Sequence, residues 1–203
     1  MTIDDIPVIA PYFRFVTTNT CDFTVGGMFM WRDYFHMAWQ VEDGVLYSTL
    51  TGEDGNLYYN LPLGEDIPAG LRQCLTRHPE RPVRFCTIPE AELPLFRALP
   101  GRVEITEEEN FADYLYSAEE MIQLSGKKFS GQRNHISRFL RTCQSWSFEP
   151  LDSTDAAEVE AFFHTLNKKL NYAPGEAAEE NHKVQEVLEH LDQYGLVGGV
   201  LRA

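Results

Sequence analysis

Met37 to Glu42, the pair Asp43-Gly44, and Val45 to Leu50 form the stretch that most limits what this chain can become. Two strand-forming runs flank a dipeptide that accepts positive φ at both positions, which is the chemistry of a two-residue type I′ hairpin. The turn from Gly52 to Asn56 then leads to a third strand over Leu57–Leu61. Next the spacing predicts a helix from Pro68 to Arg77, with Pro at its start, where a missing N–H costs nothing. A strand over Val83–Ile88, a short helix over Glu90–Leu99 and a strand over Arg102–Ile105 complete a β-β-β-α-β-α-β order.

Ser117, with Glu119 and Glu120 in the following turn, opens another helix, which Gly126 is expected to stop. Gln132–Cys143 reads as a helix whose Ile136, Phe139 and Leu140 make one apolar face. Trp146–Leu151 is a strand. Thr154 and Asp155 cap a helix carrying Val159, Phe162, Phe163, Leu166 and Leu170 on one side. After a break at Ala173-Pro174-Gly175, Val184, Val187, Leu188 and Leu191 mark a further helix, with Glu179 and Glu180 as its solvated start and Gly195 at its end. Leu196–Arg202 is again strand-like. An isolated pair of strands is marginal, so the second half reads as the opening of a domain whose remainder is absent or supplied by the first half.

The 203 residues carry 31 acidic against 17 basic side chains, a net charge of −14. That balance argues against unaided binding to DNA, tRNA or an anionic membrane. Yet Gly126–Arg141 holds five cations, Lys127, Lys128, Arg133, Arg138 and Arg141, and no acid. No apolar run suits a membrane span. The N-terminus lacks the basic region of a signal peptide. Cys21, Cys74, Cys86 and Cys143 are scattered, which fits reduced thiols in a cytoplasmic protein better than a disulfide framework. His36, His78, His164, His182 and His190 show no metal-ligand spacing, and no metal is expected.

Three groups of residues together resemble one bacterial family. They are Met30-Trp31-Arg32-Asp33-Tyr34 with Trp39 and Asp43-Gly44; Asp113-Tyr114-Leu115-Tyr116-Ser117; and Gly126-Lys127-Lys128 with the run Arg133 to Phe139. The family comprises cytosolic proteins related to the C-terminal domain of phosphatidylglycerol lysyltransferase. The resemblance runs over essentially the whole chain and implies an α+β fold. Two acetyltransferase-like (GNAT-like) folds would stand in tandem, with mixed, largely antiparallel sheets flanked by helices. Residues 1–143 would hold the first copy and its junction helices, and 144–203 the start of a second, truncated one. Family members are typically longer than this chain. Membrane-bound relatives move an aminoacyl group from a charged tRNA to a lipid headgroup. The implied function is therefore acyl or aminoacyl transfer, with acyl-CoA or aminoacyl-tRNA as donor to the longer protein and no cofactor held by this chain. The rival is a non-catalytic ligand-binding or interaction module that keeps the fold.

Lys127, Lys128, Arg133, Asn134, His135 and Arg138 are the candidate site for a small anionic or acyl substrate. Asn134, Arg138 and Arg141 fall at i, i+4, i+7 and make one polar stripe. The alternative is that the cations satisfy Glu107, Glu108 and Glu109 and the helix C-terminus. His135 is a tempting general base, but no carboxylate stands at helical spacing to orient it, so a hydrogen-bonded structural role is expected. A coenzyme A site in this fold needs a cradle of backbone N–H groups after the third strand. Leu61–Pro68 offers one glycine with Glu65 and Asp66 there, so no competent site is expected. Trp31, Tyr34, Phe35 and Trp39 read as core, as the wall between two halves, or as an aromatic pocket. Tyr114 and Tyr116 read as cleft-flanking neighbours in a strand. Gly198-Gly199 reads as a bulge or a close approach of backbone to ligand.

Overall fold

Asp43 and Gly44 both take positive φ, 50° and 75°, and reverse the chain between β1 (Ala38–Glu42) and β2 (Val45–Thr51). The computed structural model describes residues 1–109, 112–170 and 174–203. β2 pairs antiparallel with β3 (Leu57–Tyr59), and β3 pairs in parallel with β4 (Arg84–Phe85), giving a sheet of order β1-β2-β3-β4. Val45, Leu46, Tyr47 and Ser48 are all buried, so β2 is covered on both faces. On one face Val45, Tyr47 and Tyr59 meet Cys74 of α3 (Ile67–Arg77), with Val83 and Phe85 alongside.

The N-terminal segment shows helices that the hydrophobic pattern did not reveal. Short 3-10 turns at Ile3–Asp5, Ala10–Phe15 and Cys21–Phe23 alternate with α1 (Ile6–Ile9) and α2 (Val25–Met30). Pieces this short carry no periodicity to read, yet they bury Ile6, Ile9, Phe23, Met28 and Phe29. The Trp39 indole ties them to the sheet by donating to Asp5 Oδ2 at 3.1 Å.

Beyond β4, a 3-10 turn at Glu90–Glu92 runs into α4 (Leu93–Arg97), where one helix was expected. The strand expected at Arg102–Ile105 is not formed. Residues 102–108 are irregular, and Val103 and Ile105 are exposed without a partner strand among the described residues. Tyr114 and Tyr116 also lie outside any strand.

The chain divides into two units, Met1–Ala112 and Asp113–Ala203, so both helices expected at the junction group with the second. The Ser117 hydroxyl caps α5 (Ala118–Gln123), and Leu124 ends it in the left-handed conformation, two residues before the expected stop at Gly126. A 3-10 turn at Lys127–Phe129 feeds α6 (Ser130–Thr142). β5 (Ser147–Pro150) pairs antiparallel with β6 (Gly199–Arg202). Between them, Asp152, rather than Thr154 or Asp155, starts a 3-10 turn through a reciprocal capping box with Asp155. Hydrogen bonds from Thr154 hold the Asp152 carboxyl below the usual range. α7 (Ala156–Leu170), α8 (Pro174–Glu189) and α9 (Leu191–Tyr194) follow, and Gly195, at φ 64°, closes the last. The expected break at 173–175 begins outside the described residues, as do the side chains of Leu170, Glu179 and Glu180. Arg202 of β6 gathers Glu149 of the paired strand at 2.9 Å, Asp155 at 2.5 Å and Glu158 at 2.8 Å.

Thr87 holds φ at +52° two residues past the end of β4, a conformation that a β-branched residue adopts only under strain of about 1–3 kcal/mol. Its hydroxyl donates to Asn60 Oδ1 at a long 3.4 Å. Thr87→Gly is therefore expected to raise stability by about 1 kcal/mol, after the greater freedom of glycine in the unfolded chain is counted. Urea titration should show a higher midpoint at unchanged slope.

Candidate functional site: the basic helix of the second unit

The basic block is built by two turns and a helix. Leu124 and Gly126, with φ of 47° and 84°, turn the chain from α5 to α6, and the buried Phe129 anchors the bend. Arg133 reaches back across it. Its Nη1 donates to the carbonyl of Leu124, the residue that closes α5, and, at 2.8 Å, to that of Gly126, which precedes the next 3-10 turn. Lys128 pairs with Glu120 at 2.6 Å and lies 5.0 Å from the centre of the Phe129 ring. These two cations thus brace the helix junction. Their partners are Glu120 and main-chain carbonyls, not the expected Glu107–Glu109, because residues seven to nine apart across a tight bend meet first.

Lys127, Asn134, His135, Arg138 and Arg141 are exposed, and their side chains make no hydrogen bond or ion pair among the described residues. His135 is thus not the hydrogen-bonded histidine that was expected. Asn134, Arg138 and Arg141 do share a stripe. The opposite face is only partly covered: Ile136 is 48% and Leu140 52% exposed, while Phe139 meets Trp146 edge-on at 6.2 Å. Tyr114 and Tyr116 stack on each other at 6.4 Å and stand out from the surface.

The other candidates resolve into packing. The loop after the third strand is closed, because Leu46 and Leu63 exchange main-chain hydrogen bonds at 2.8 and 3.0 Å. The first turn of α3 is capped from within, Asp66 Oδ1 accepting from the Ala69 N–H at 2.8 Å. Gly198 and Gly199 admit close neighbours, but these are the Leu151 side chain and the Phe148 ring of their own sheet. Trp31 and Tyr34 are exposed; they meet edge-on, Tyr34 also meets Phe35 edge-on and Trp31 lies tilted against it, so they are a surface cluster and not core. Among the described residues no group of three His, Cys, Asp or Glu is placed to hold a metal. All four cysteines are free; burial pushes the Cys74 thiol up to about 12 and the Cys86 thiol up to about 11, which keeps both protonated. No helix among the described residues is long and apolar enough to cross a membrane.

Residues 13–203 match the family described as phosphatidylglycerol lysyltransferase, C-terminal. The matched span contains Trp31–Tyr34, Asp113–Ser117 and Arg133–Phe139, the segments on which the resemblance was read. The chain is also similar to the crystal structure of a conserved protein of unknown function from Bacteroides thetaiotaomicron. Identity is 26% and the TM-score 0.79, over 100% of this chain and 70% of that one. No curated protein matches the chain.

Proposed function

Because the chain belongs to the phosphatidylglycerol lysyltransferase C-terminal family, we propose that it serves acyl or aminoacyl transfer by holding an anionic substrate group on α6. The observation that carries this reading is the division within the basic block. Arg133 and Lys128 are committed to the fold, while Lys127, Arg138 and Arg141 stand exposed and unengaged among the described residues. Arg138 and Arg141 are three apart and Asn134 lies one turn before Arg138, so the three present neighbouring donors. Paired guanidinium groups match phosphate and carboxylate geometry.

In this reading the donor is an acyl-CoA or aminoacyl-tRNA and the acceptor an amine or hydroxyl. The protein acts by positioning the two and stabilising the oxyanion that develops between them. A GNAT-like scaffold is supported by the order of the first unit: two short helices, a three-stranded antiparallel meander, α3, then the parallel β4.

The test is residue-resolved titration with inorganic pyrophosphate, following the backbone amides of α6 by NMR. Saturable shifts along α6 are expected. The double change Arg138→Ala/Arg141→Ala should weaken them by about tenfold and leave stability within about 0.5 kcal/mol. Arg133→Ala should lower stability by about 1 kcal/mol through its two lost hydrogen bonds. Wild-type pyrophosphate shifts in the double variant would remove the reading.

A second reading, a binding module without catalysis, is favoured by the α3 N-terminus, where Asp66 occupies the place a pyrophosphate would take. Acyl transfer from acyl-CoA to an amine above the uncatalysed rate would exclude it.

A further inference from the structure

A second cationic cluster lies in the first unit, assembled by a turn and not by a helix. His78, Pro79, Glu80 and Arg81 close on themselves through the Arg81 N–H to the His78 carbonyl at 3.3 Å, with Pro79 where its fixed φ suits the turn. The turn swings Arg81 onto the His78 ring, Nη2 to Nδ1 at 3.3 Å. A guanidinium has no lone pair to give, so Nδ1 must accept. The ring proton then sits on Nε2, which donates to the Tyr59 hydroxyl at 3.0 Å. Arg84 enters from β4. Together with Asn56 these side chains line a recess of about 20 Å³, room for one oxygen-sized group.

The arginines here differ in what they are committed to. Arg77, at the end of α3, is committed to Glu42 at 2.5 Å and lies 4.0 Å over the Tyr47 ring. Arg81 and Arg84 make no ion pair among the described residues. Arg84 acts on Asp54 through space, but that carboxylate already accepts two hydrogen bonds from Asn56 and one from Tyr58. Glu80, in the turn itself, is exposed. On a chain of net charge −14, two guanidinium groups with no ion pair among the described residues, beside a polar recess, are a place for an external anion.

We propose that the recess lined by His78, Arg81 and Arg84 seats the terminal oxyanion of a small ligand, a carboxylate or a phosphate. One oxygen enters the recess, the two arginines take the others, and the rest of the ligand stays outside, since the volume admits no more. The His78–Tyr59 bond fixes the ring that holds Arg81 in place, which makes His78 a positioning residue.

The test uses the isotopically labelled chain, titrated separately with inorganic phosphate and with acetate at constant ionic strength. Saturable amide shifts are expected at residues 78–84, and the anion that saturates at lower concentration identifies the ligand class. Arg81→Ala and Arg84→Ala should each weaken binding by about fivefold or more. Arg81→Lys, which keeps the charge and loses the planar fork, should weaken it as well. His78→Gln should weaken it too and release the Arg81 side-chain signals from their fixed environment. Shifts at 78–84 that rise without saturation, or that survive both alanine changes, overturn the proposal. Arg138→Ala should leave this recess unchanged, so the site on α6 and this one fail separately.

Discussion

Gly27→Ala should destabilise the first unit by about 3 kcal/mol, although alanine is the better helix former. Thr24 opens α2 by accepting from the Gly27 N–H at 2.9 Å, and the same hydroxyl donates to the Cys21 carbonyl at 2.8 Å. One side chain thus pulls the Cys21 carbonyl oxygen against the Gly27 α-carbon. A β-carbon added there would run into that oxygen and stand 3.1 Å from Thr24 Oγ1. The obstacle is main chain held in a 3-10 turn, which no rotamer change relieves, and α2 carries the buried Met28 and Phe29 that would shift with it. Gly131→Ala in α6 is the control, because an added β-carbon there meets nothing within 4 Å. It should gain about 0.5–1 kcal/mol. Urea melts of the two variants should therefore move in opposite directions; equal midpoints would show that the Cys21–Thr24–Gly27 arrangement is wrong.

Leu46→Ala should cost about 2–5 kcal/mol. Leu46 is 1% exposed in a strand covered on both faces, and its main chain is held on the far side by Leu63, so the space left cannot collapse. Leu201→Ala makes the same chemical change at a residue 56% exposed in β6, and should stay within about 0.5 kcal/mol. Chemical denaturation of the pair, at equal protein concentration, checks both. A Leu46→Ala midpoint near wild type would mean that β2 is not the centre of the sheet.

What could be read from residues alone was whatever rests on local chemistry. Asp43-Gly44 states its turn, Ser117 and Gly195 state helix ends, and Pro68 states the start of α3, because each signal sits within a few residues of its effect. The helices before Met30 left no such trace. They are too short for a period, and they exist because tertiary burial of Ile9 and Phe29 holds them. The expected strand at Arg102–Ile105 failed for the opposite reason: its composition suits a strand, but a strand needs a neighbour. The basic block was legible as a cluster and illegible in its parts. Nothing in the order of residues says that Arg133 turns back to carbonyls at 124 and 126 while Arg138 faces water. The recess at His78 escaped notice because its members come from a strand, a turn and a second strand, brought together only by the parallel pairing of β3 with β4.

The knot of carboxylates about Arg202 has a consequence for alignment more than for strength. Side chains on a strand alternate sides, so sliding β6 by one residue would send the guanidinium to the side where Phe148 lies and leave Glu149, Asp155 and Glu158 crowded with no counter-charge. In a sheet of two short strands, with glycine at one end and little else to tell one pairing from the next, that penalty distinguishes the native alignment from its nearest competitor. Added salt, by weakening it, should blur which residue faces which before it loosens the fold.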